Sequence, residues 1–429
     1  MKPFRYDNAT VEKDPYRQTY MDRLIDERKK EQNYDLGRLF IGWEKQYEWI
    51  EASTDSLWYP IESGVPFYIE IGTSNVILIL GDRGSGKTFL VRGMASRLFK
   101  TGYMVMHLSD IKNEMRTNYK PIQSVFRDKL RRDEKPEGIP TTVYTPYFLS
   151  RFNKTKYSNM EYLQLDFSDM EETDLITAFN ARSGQNPDPK IDLAVELFHK
   201  INDNTIETYD EIRNYIKNMD KDEVHGSTKK SFYRKIKDME RKGIFSTKYY
   251  KDIVNEVKSK FVSINFTGYD QMEKYPHVYM SMIVEKIRRA KKSGKLDGPI
   301  FFFIDEGHAF IPKRKDVASK EKIEKVINED RQYGESVVIS TQYPDQLPVK
   351  KVLRQVRYYF IPWNIDFSVY KDIIKSAGMN LASDKWTDKW VKLKSKAKKY
   401  EWIVIDKSAR KASIVKVAAP LCNHLEESR

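Results

Sequence analysis

The feature that most constrains this chain is a glycine-rich loop that lies between an apolar run and a helical segment. The loop extends from Gly81 to Thr88 and fits the pattern G-x-x-x-x-G-K-[ST] at every position. The run from Asn75 to Leu80 precedes it and has the composition of a buried strand. The residues up to Lys100 follow with apolar side chains at helical spacing. This order predicts a phosphate-binding loop at the edge of a sheet.

The residues of this loop divide the binding of a nucleotide among them. The glycines let the backbone curl so that successive N–H groups face the phosphates, and the helix N-terminus adds its dipole. Lys87 is expected to reach the β- and γ-phosphates, and the Thr88 hydroxyl to bind Mg²⁺. The predicted ligands are therefore ATP and Mg²⁺. The predicted nucleotide-binding residues are Gly81, Asp82, Arg83, Gly84, Ser85, Gly86, Lys87, Thr88 and Phe89.

A second apolar run ends in two carboxylates. It extends from Ile300 to Ile304, and Asp305 and Glu306 follow it directly. Ligands of an open α/β sheet bind beyond the carboxyl ends of its strands. We therefore expect Asp305 to hold Mg²⁺, mostly through water, and Glu306 to act as the base that polarises the attacking water. The alternative interpretation is an exposed acidic turn after a strand.

Two residues beside a third apolar run, Val337 to Ile339, are further candidates for catalysis. Gln342 follows that run and is placed to contact the γ-phosphate or the attacking water; the competing interpretation is an ordinary polar strand end. Arg331 precedes the run. It is either a surface arginine or an arginine finger directed at a neighbour's γ-phosphate, and its spacing alone does not distinguish the two.

Short apolar strands that alternate with helical segments predict an α/β fold with a mainly parallel sheet covered on both faces. A polar stretch of helical spacing, residues 167–256, is interpreted as a helical subdomain inserted into the sheet domain. The predicted parts are a charged arm over 1–35, the core over 36–166, the insertion over 167–256, and the rest of the core over 257–429 with a C-terminal β-hairpin. Strand candidates are Tyr68–Ile71, Asn75–Leu80, Tyr103–Leu108, Thr142–Tyr144, Phe261–Phe266, Ile300–Ile304, Ser336–Ser340, Arg357–Ile361, Glu401–Ile405 and Ser413–Val417.

Charge and cysteine content bear on partners and compartment. With 75 Lys and Arg against 62 Asp and Glu, the formal net charge is +13, which favours a polyanionic partner such as nucleic acid. The alternative is a densely charged solvated surface. The single cysteine, Cys422, excludes an intramolecular disulfide. Apolar runs too short to span a bilayer, and an N-terminus without a signal peptide, predict a soluble cytoplasmic protein.

Several short motifs together resemble those of HerA-type ATPases. Asp305 to Pro312 reads Asp-Glu-Gly-His-Ala-Phe-Ile-Pro and resembles the D-E-A-H-x-F-x-P element of that family, with Gly307 in place of the usual Ala. The segments 331–334 and 341–344 resemble its R-x-x-G and T-Q-x-P elements, and 109–114 its D-x-x-x-E segment. The short strand at 143–146 is also similar. The resemblance extends in the same order over most of residues 60–420.

This resemblance implies a RecA-like P-loop NTPase core and a place in the HerA/FtsK superfamily of hexameric DNA pumps. Each ATP would lie between neighbouring subunits, with Arg331 donated in trans. The function it implies is ATP-driven translocation of double-stranded DNA through a central pore, with a nuclease or a capsid or assembly protein as a further partner. Two features depart from the family: no N-terminal β-barrel and no membrane-spanning N-terminus are evident. Repair, conjugation and genome packaging all stay open as processes.

A DNA pump requires cations along its pore, because sequence-independent grip comes from phosphate contacts. Alternative functions are an assembly or secretion ATPase acting on protein cargo, and a nucleotide-dependent switch with little turnover. Each basic cluster has the alternative interpretation of a solvated face. The candidate DNA-binding residues are Lys313, Arg314 and Lys315, then Lys350, Lys351 and Arg354, with Arg288, Arg289, Lys291 and Lys292 as a further cluster.

Overall fold

The computed structural model describes residues 38–50, 57–71, 74–153, 158–179, 189–219, 224–246, 252–272, 274–329, 333–348, 351–376, 393–399, 401–409 and 411–423. Its strands are β1 Arg38–Ile50, β2 Leu57–Glu70, β3 Val76–Leu80, β4 Met104–Asp110, β5 Thr141–Pro146, β6 Met160–Leu163, β7 Leu165–Asp166, β8 Phe245–Ser246, β9 Phe261–Asn265, β10 Ile300–Ile304, β11 Glu335–Thr341, β12 Tyr358–Pro362, β13 Glu401–Asp406 and β14 Lys411–Val417. Its principal helices are α1 Lys87–Lys100, α2 Glu172–Phe179, α3 Pro189–Asn202, α4 Tyr209–Asn218, α5 Gly226–Lys242, α6 Ile253–Ser259, α7 Tyr275–Lys292, α8 Gly307–Phe310, α9 Ala318–Asn328 and α10 Phe367–Ser376.

A parallel sheet forms the centre of the described chain. Eight neighbouring strands, in the order β12-β3-β11-β10-β4-β9-β5-β6, run parallel to one another. Strands β3 and β10 are apolar along their whole length, as is typical of strands in a sheet that is covered on both faces. In β3 the side chains of Val76, Leu78 and Leu80 enter one hydrophobic core, and those of Ile77 and Ile79 enter a second core on the opposite face. The predicted mainly parallel α/β fold is confirmed.

Antiparallel strands extend the sheet beyond β12. The hairpin of β13 and β14 pairs with β12, and β14 in turn pairs with β1, whose partner is β2. The predicted C-terminal hairpin is therefore present. Sequence reasoning found the end of β2 but did not identify β1, because its pairing with the far C-terminus leaves no local signal. The predicted arm, residues 1–35, lies outside the described residues.

The helices cover the sheet on both faces. α1 packs the side chains of Leu90, Met94 and Leu98 into one core, while α7 and α9 supply Ile283 and Ile323 to the other. In the described part of residues 167–256, helices α2 to α6 predominate, and β8 pairs with β7 in a separate two-stranded sheet. The division of the chain into four parts stays a prediction. No helix in the described ranges is both long and apolar enough to cross a membrane.

The order of the parallel strands determines where the candidate site forms. β11 lies between β3 and β10. Because parallel strands end at the same edge, the glycine loop after β3, Gln342 after β11 and Asp305-Glu306 after β10 emerge side by side.

Candidate active site

The loop between β3 and α1 adopts a conformation that depends on its glycines. Gly81, Gly84 and Gly86 have φ values of 141°, 83° and 94°, a region that side-chain-bearing residues rarely adopt. Gly81 is also tightly enclosed, since a Cβ atom there would lie 2.4 Å from Ser85 Oγ and 2.9 Å from Pro362 Cγ. Its N–H donates to the Thr341 carbonyl at 3.3 Å, which joins the start of the loop to the end of β11.

The Lys87 side chain folds over this loop. Its ammonium group donates to the carbonyl of Gly81 and, at 3.2 Å, to that of Asp82. Burial lowers the pKa of Lys87, and the charges of Glu306 and Asp305 act in the opposite sense. The two carboxylates that follow β10 are therefore the leading opposite charges acting on this lysine. A bound phosphate would offer Lys87 anionic acceptors in place of neutral carbonyls.

Glu306 is the most constrained side chain of the site. Its residue is 6% exposed and has a φ of 47°, a left-handed conformation that costs about 1–3 kcal/mol for such a residue. Gln342 Nε2 donates to Glu306 Oε1 at 2.7 Å. The other oxygen, Oε2, is buried, lies 3.5 Å from His308 Nδ1 and accepts no hydrogen bond from any described residue. A buried carboxylate oxygen without a donor is chemically able to accept a proton from a water molecule.

Asp305 is oriented by two serines of neighbouring strands. Ser340 Oγ donates to Asp305 Oδ1, and Ser109 Oγ donates to the Asp305 carbonyl at 2.9 Å. Its carboxylate and the Thr88 hydroxyl offer the oxygen ligands that Mg²⁺ prefers. The described residues contain no cluster of three or more acidic, His or Cys side chains able to hold a metal by themselves. This donor set fits Mg²⁺, which usually keeps waters and substrate phosphates among its ligands.

A second acidic group supports the Thr88 hydroxyl. Thr88 Oγ1 donates to Glu114 Oε2 at 2.9 Å. Burial raises the pKa of Glu114, and the hydrogen bond from Thr88 opposes that shift. Asp110 holds the Glu114 segment because its carboxylate accepts from the N–H groups of Glu114 at 2.8 Å and Met115 at 2.9 Å. The segment 109–114 resembles a family motif, but the sequence alone assigns no role to Glu114, because only the fold brings it to Thr88.

His308 and Gly307 complete the surroundings of Glu306. His308 Nδ1 lies 3.2 Å from Thr341 Oγ1, and its ring packs edge-on against Tyr343 with centroids 4.9 Å apart. Burial lowers the pKa of His308, which favours the neutral form of its ring. Gly307 lies close to β11, where an added Cβ would be 2.4 Å from Ile339 Cγ2. This close contact is a physical reason for glycine at position 307, where the D-E-A-H-x-F-x-P element has alanine.

The remaining predicted residues have varied surroundings. In the glycine loop, Asp82, Arg83 and Gly84 are exposed, and Phe89 packs against Phe126 with ring centroids 6.2 Å apart. Arg331 and Lys350 lie outside the described residues.

The candidate DNA-binding cations differ in their exposure and in their ion pairs. Lys313, Arg314 and Lys315 are exposed after α8. Lys351 is exposed but pairs with Glu324 at 2.8 Å, and Arg354 is exposed as well. Arg288, by contrast, is 4% exposed and donates to Glu285 at 2.7 Å, so its burial removes it from the candidate DNA contacts. Arg289 pairs with Glu171 and Glu285.

Comparison with known proteins identifies the family. A family model described as "Helicase HerA, central domain" matches residues 59–287, which is more than half of the chain. The matched range includes the glycine loop and Glu114 but ends before Asp305 and Glu306. No curated protein sequence matches the chain significantly.

VirB4 and TrwB show the same fold at low sequence identity. VirB4 of Thermoanaerobacter pseudethanolicus is 13% identical, with a TM-score of 0.53 over 89% of this chain and 96% of that one. The plasmid coupling protein TrwB, in complex with the non-hydrolysable GTP analogue GDPNP, is 12% identical, with a TM-score of 0.50 over 82% of this chain and 88% of that one. The genome packaging NTPase B204 from Sulfolobus turreted icosahedral virus 2, bound to sulfate, is 10% identical with a TM-score of 0.37 over 80% and 97%. The P-loop fold and the family match together establish that this chain is an ATPase and belongs to the family defined by the central domain of helicase HerA.

Proposed function

We propose that this ATPase is a translocase of double-stranded DNA that works as a homo-hexameric ring and hydrolyses ATP between neighbouring subunits. The observation that carries the catalytic part is the geometry of Glu306. Its Oε2 is buried without a hydrogen-bond donor among the described residues, beside the phosphate loop and next to Gln342. A buried carboxylate oxygen left free at such a place supports its assignment as the base.

In the proposed reaction, Glu306 accepts a proton from a water molecule as that water attacks the γ-phosphorus. The bond between the γ-phosphorus and the bridging oxygen breaks, and ADP leaves with that electron pair. Lys87 exchanges its loop carbonyls for phosphate oxygens and stabilises the developing charge. Thr88 and Asp305 would hold Mg²⁺, which neutralises phosphate charge when it is bound. Gln342 orients Glu306 through the hydrogen bond at 2.7 Å.

A short path connects this chemistry to exposed cations. Glu306 directly precedes the one-turn helix α8, and Lys313 to Lys315 follow the helix. The Lys313 N–H donates to the Gln346 carbonyl at 2.7 Å, and its ammonium group lies 3.4 Å from the Asp345 carbonyl. Both acceptors lie just beyond Gln342. The basic segment is thus tied to the two strand ends that hold Glu306 and Gln342, so a shift of either on hydrolysis moves the cations. We infer that this segment grips DNA phosphates.

Two observations support DNA as the cargo. The net charge of +13 favours a polyanion, and the family is defined by a helicase. The ring rests on the resemblance, in which Arg331 acts on the ATP of its neighbour.

ATPase rate with and without duplex DNA, at 50 and 200 mM salt, tests the proposal. We expect DNA to stimulate the wild type at low salt and much less at high salt, because phosphate contacts release counterions. Glu306→Gln is expected to bind ATP while its turnover falls by about 10²–10⁴, the usual contribution of a general base. Glu321→Gln is the matched control, since Glu321 is a partly exposed glutamate of α9 that pairs with Lys325.

The outcomes separate the parts of the proposal. Wild-type turnover in Glu306→Gln would show that Glu306 is not the base. A rate unaffected by DNA at both salt concentrations would reject DNA as cargo and favour a protein substrate.

A further inference from the structure

One face of α5 carries cations that take no part in the site described above. Lys230, Arg234, Lys237 and Arg241 are all exposed, and their spacing of four, three and four residues places them within about 60° of one another around the helix axis. We call these four residues the α5 basic face. The opposite face packs Phe232, Ile236 and Met239 into the core. The orientation of α5 is therefore fixed by burial, and the cations are held outward.

Within the described ranges, most cations of the α5 basic face form no ion pair. Lys230, Arg234 and Lys237 make no ion pair with any residue in the described ranges, while Arg241 contacts Asp238 at 2.8 Å. Asp238 also pairs with Lys242 at 2.6 Å. Glu240, the other acid of α5, pairs with Arg213. Since both acids of this helix already have cationic partners, the face presents a net positive charge.

Hydrogen-bond donors other than the cations accompany this face. A groove with a volume of about 470 Å³ runs beside it. Tyr233, which is 40% exposed, lies three residues after Lys230 and four before Lys237, the spacing of neighbours on one side of a helix. Hydroxyl, ammonium and guanidinium groups are the donors that contact phosphate oxygens in protein–DNA complexes. The described lining of the groove consists of Ser227, Lys230, Ser231, Arg234, Lys235 and Asp238.

We propose that the α5 basic face is a second contact for the backbone of duplex DNA, separate from the cations that follow the catalytic strand ends. From Lys230 to Arg241 the face is about 16 Å long at 1.5 Å per residue. Duplex DNA carries one charge per about 1.7 Å of axis, so a line of cations this long can follow several phosphates. Protein partners are usually anchored by buried aromatic or aliphatic groups in pockets. This face offers only Tyr233 for such a role, which favours DNA. The inference rests on the proposed function, because it assigns a surface to the same cargo.

The test compares two triple variants of the full chain, each of which removes three positive charges. The first is Lys230→Gln, Arg234→Gln and Lys237→Gln. The matched control replaces by Gln three exposed lysines at scattered positions: Lys258 of α6, Lys295 of the loop before β10, and Lys416 of β14. Binding of a fluorescent 30-base-pair duplex is measured by anisotropy between 50 and 200 mM salt, without nucleotide.

We expect the α5 triple variant to reduce the slope of log K against log salt by up to about 2.7, or 0.9 for each lost phosphate contact. Over this fourfold range of salt, the wild type would then lose about 40-fold more affinity than the variant. The control triple should keep the wild-type slope. The charge-preserving triple Lys230→Arg, Arg234→Lys and Lys237→Arg should keep it too. All variants should retain the ATPase rate measured without DNA, which also verifies their folding.

The outcomes distinguish this inference from the proposed function. If the wild type does not bind duplex DNA, the proposed function fails and the inference with it. If the wild type binds and the α5 triple keeps the full slope, the α5 contact is wrong while the function stands. If the α5 triple and the control triple lower the salt slope equally, the effect comes from net charge alone and the inference is wrong. Poly-glutamate can be added as a competitor at the same charge concentration as the DNA. If it displaces DNA from the wild type but not from the α5 triple variant, the α5 basic face is assigned to an acidic protein instead.

Discussion

Gly307 offers a sharp test of how the packing between β10 and β11 supports Glu306. In Gly307→Ala the new methyl group would lie 2.4 Å from Ile339 Cγ2, and Leu347 Cδ2 and the Ser340 carbonyl lie only 3.7 and 3.5 Å away. Ile339 is fully buried in the middle of the sheet. About 1 Å of overlap must therefore be absorbed by moving a core side chain or the turn that carries Glu306.

The expected magnitude follows from two opposing terms. Overpacking of a well-packed core costs about 1–3 kcal/mol. Replacing glycine by alanine at a compatible backbone position stabilises by about 0.4–1 kcal/mol, because the unfolded chain loses freedom. The net loss for Gly307→Ala is on the order of 1 kcal/mol. Gly226→Ala is the matched control, since a Cβ there meets no heavy atom within 4 Å. The difference between the two variants isolates the overpacking term.

Urea unfolding measures this difference. Because a chain of 429 residues exposes more surface on unfolding than a small protein, its slope exceeds about 3 kcal/mol per molar urea, and an overpacking term of about 2 kcal/mol separates the two midpoints by less than about 0.7 M. Adding Ile339→Leu moves the side-chain branch away from Cβ and should recover much of the loss in a double-mutant cycle. Because Glu306 precedes Gly307, turnover should fall more than nucleotide affinity. Gly307→Ala with the midpoint of Gly226→Ala, or no coupling to Ile339, would refute the reasoning.

Three further predictions concern the metal, the interior charges and the assembly. Glu114→Ala should raise the Mg²⁺ concentration needed for tight binding of a fluorescent ATP analogue by about 10–100-fold, because Thr88 loses the acceptor that orients its hydroxyl. A Mg²⁺ titration that is the same as for the wild type would contradict this role of Glu114. Burial opposes ionisation of Glu171, but the hydrogen bond and the charge of Lys322 lower the pKa of Glu171 from 4.5 to about 2. This ion pair therefore stabilises the fold above about pH 4.5, and its contribution is lost as the pH falls toward 2. Lys322→Met should therefore be less stable than the wild type at pH 7 by urea unfolding, with a difference that shrinks between pH 4.5 and 2; a difference independent of pH would contradict it. Arg331→Ala should bind nucleotide but hydrolyse it about 10³-fold more slowly. Wild-type activity per subunit should also fall steeply on dilution, and constant activity down to the monomer would exclude a finger supplied in trans.

Several parts of this site were predictable because their signals are local. The phosphate loop requires glycines at positive φ between a strand and a helix, and all of these residues are consecutive in the chain. The carboxylates of Asp305 and Glu306 follow a wholly apolar strand, which is itself a signal for a sheet edge. The general position of Gln342 followed in the same way. The structure adds that its amide contacts Glu306 rather than lying free.

Other parts depended on contacts between distant segments, which no local pattern specifies. The order β3-β11-β10 decides that Gln342 meets Glu306, and the fold alone brings Glu114, 26 residues along the chain, to Thr88. Burial against Glu285 removed Arg288 from the basic surface, although its sequence neighbourhood is as cationic as that of Lys313. The sequence by itself determined the chemistry of the loop and of the two carboxylates, since backbone conformation and strand burial are encoded by neighbouring residues. Only the tertiary structure decided which side chains face one another, because strand order and helix orientation are set by the whole core.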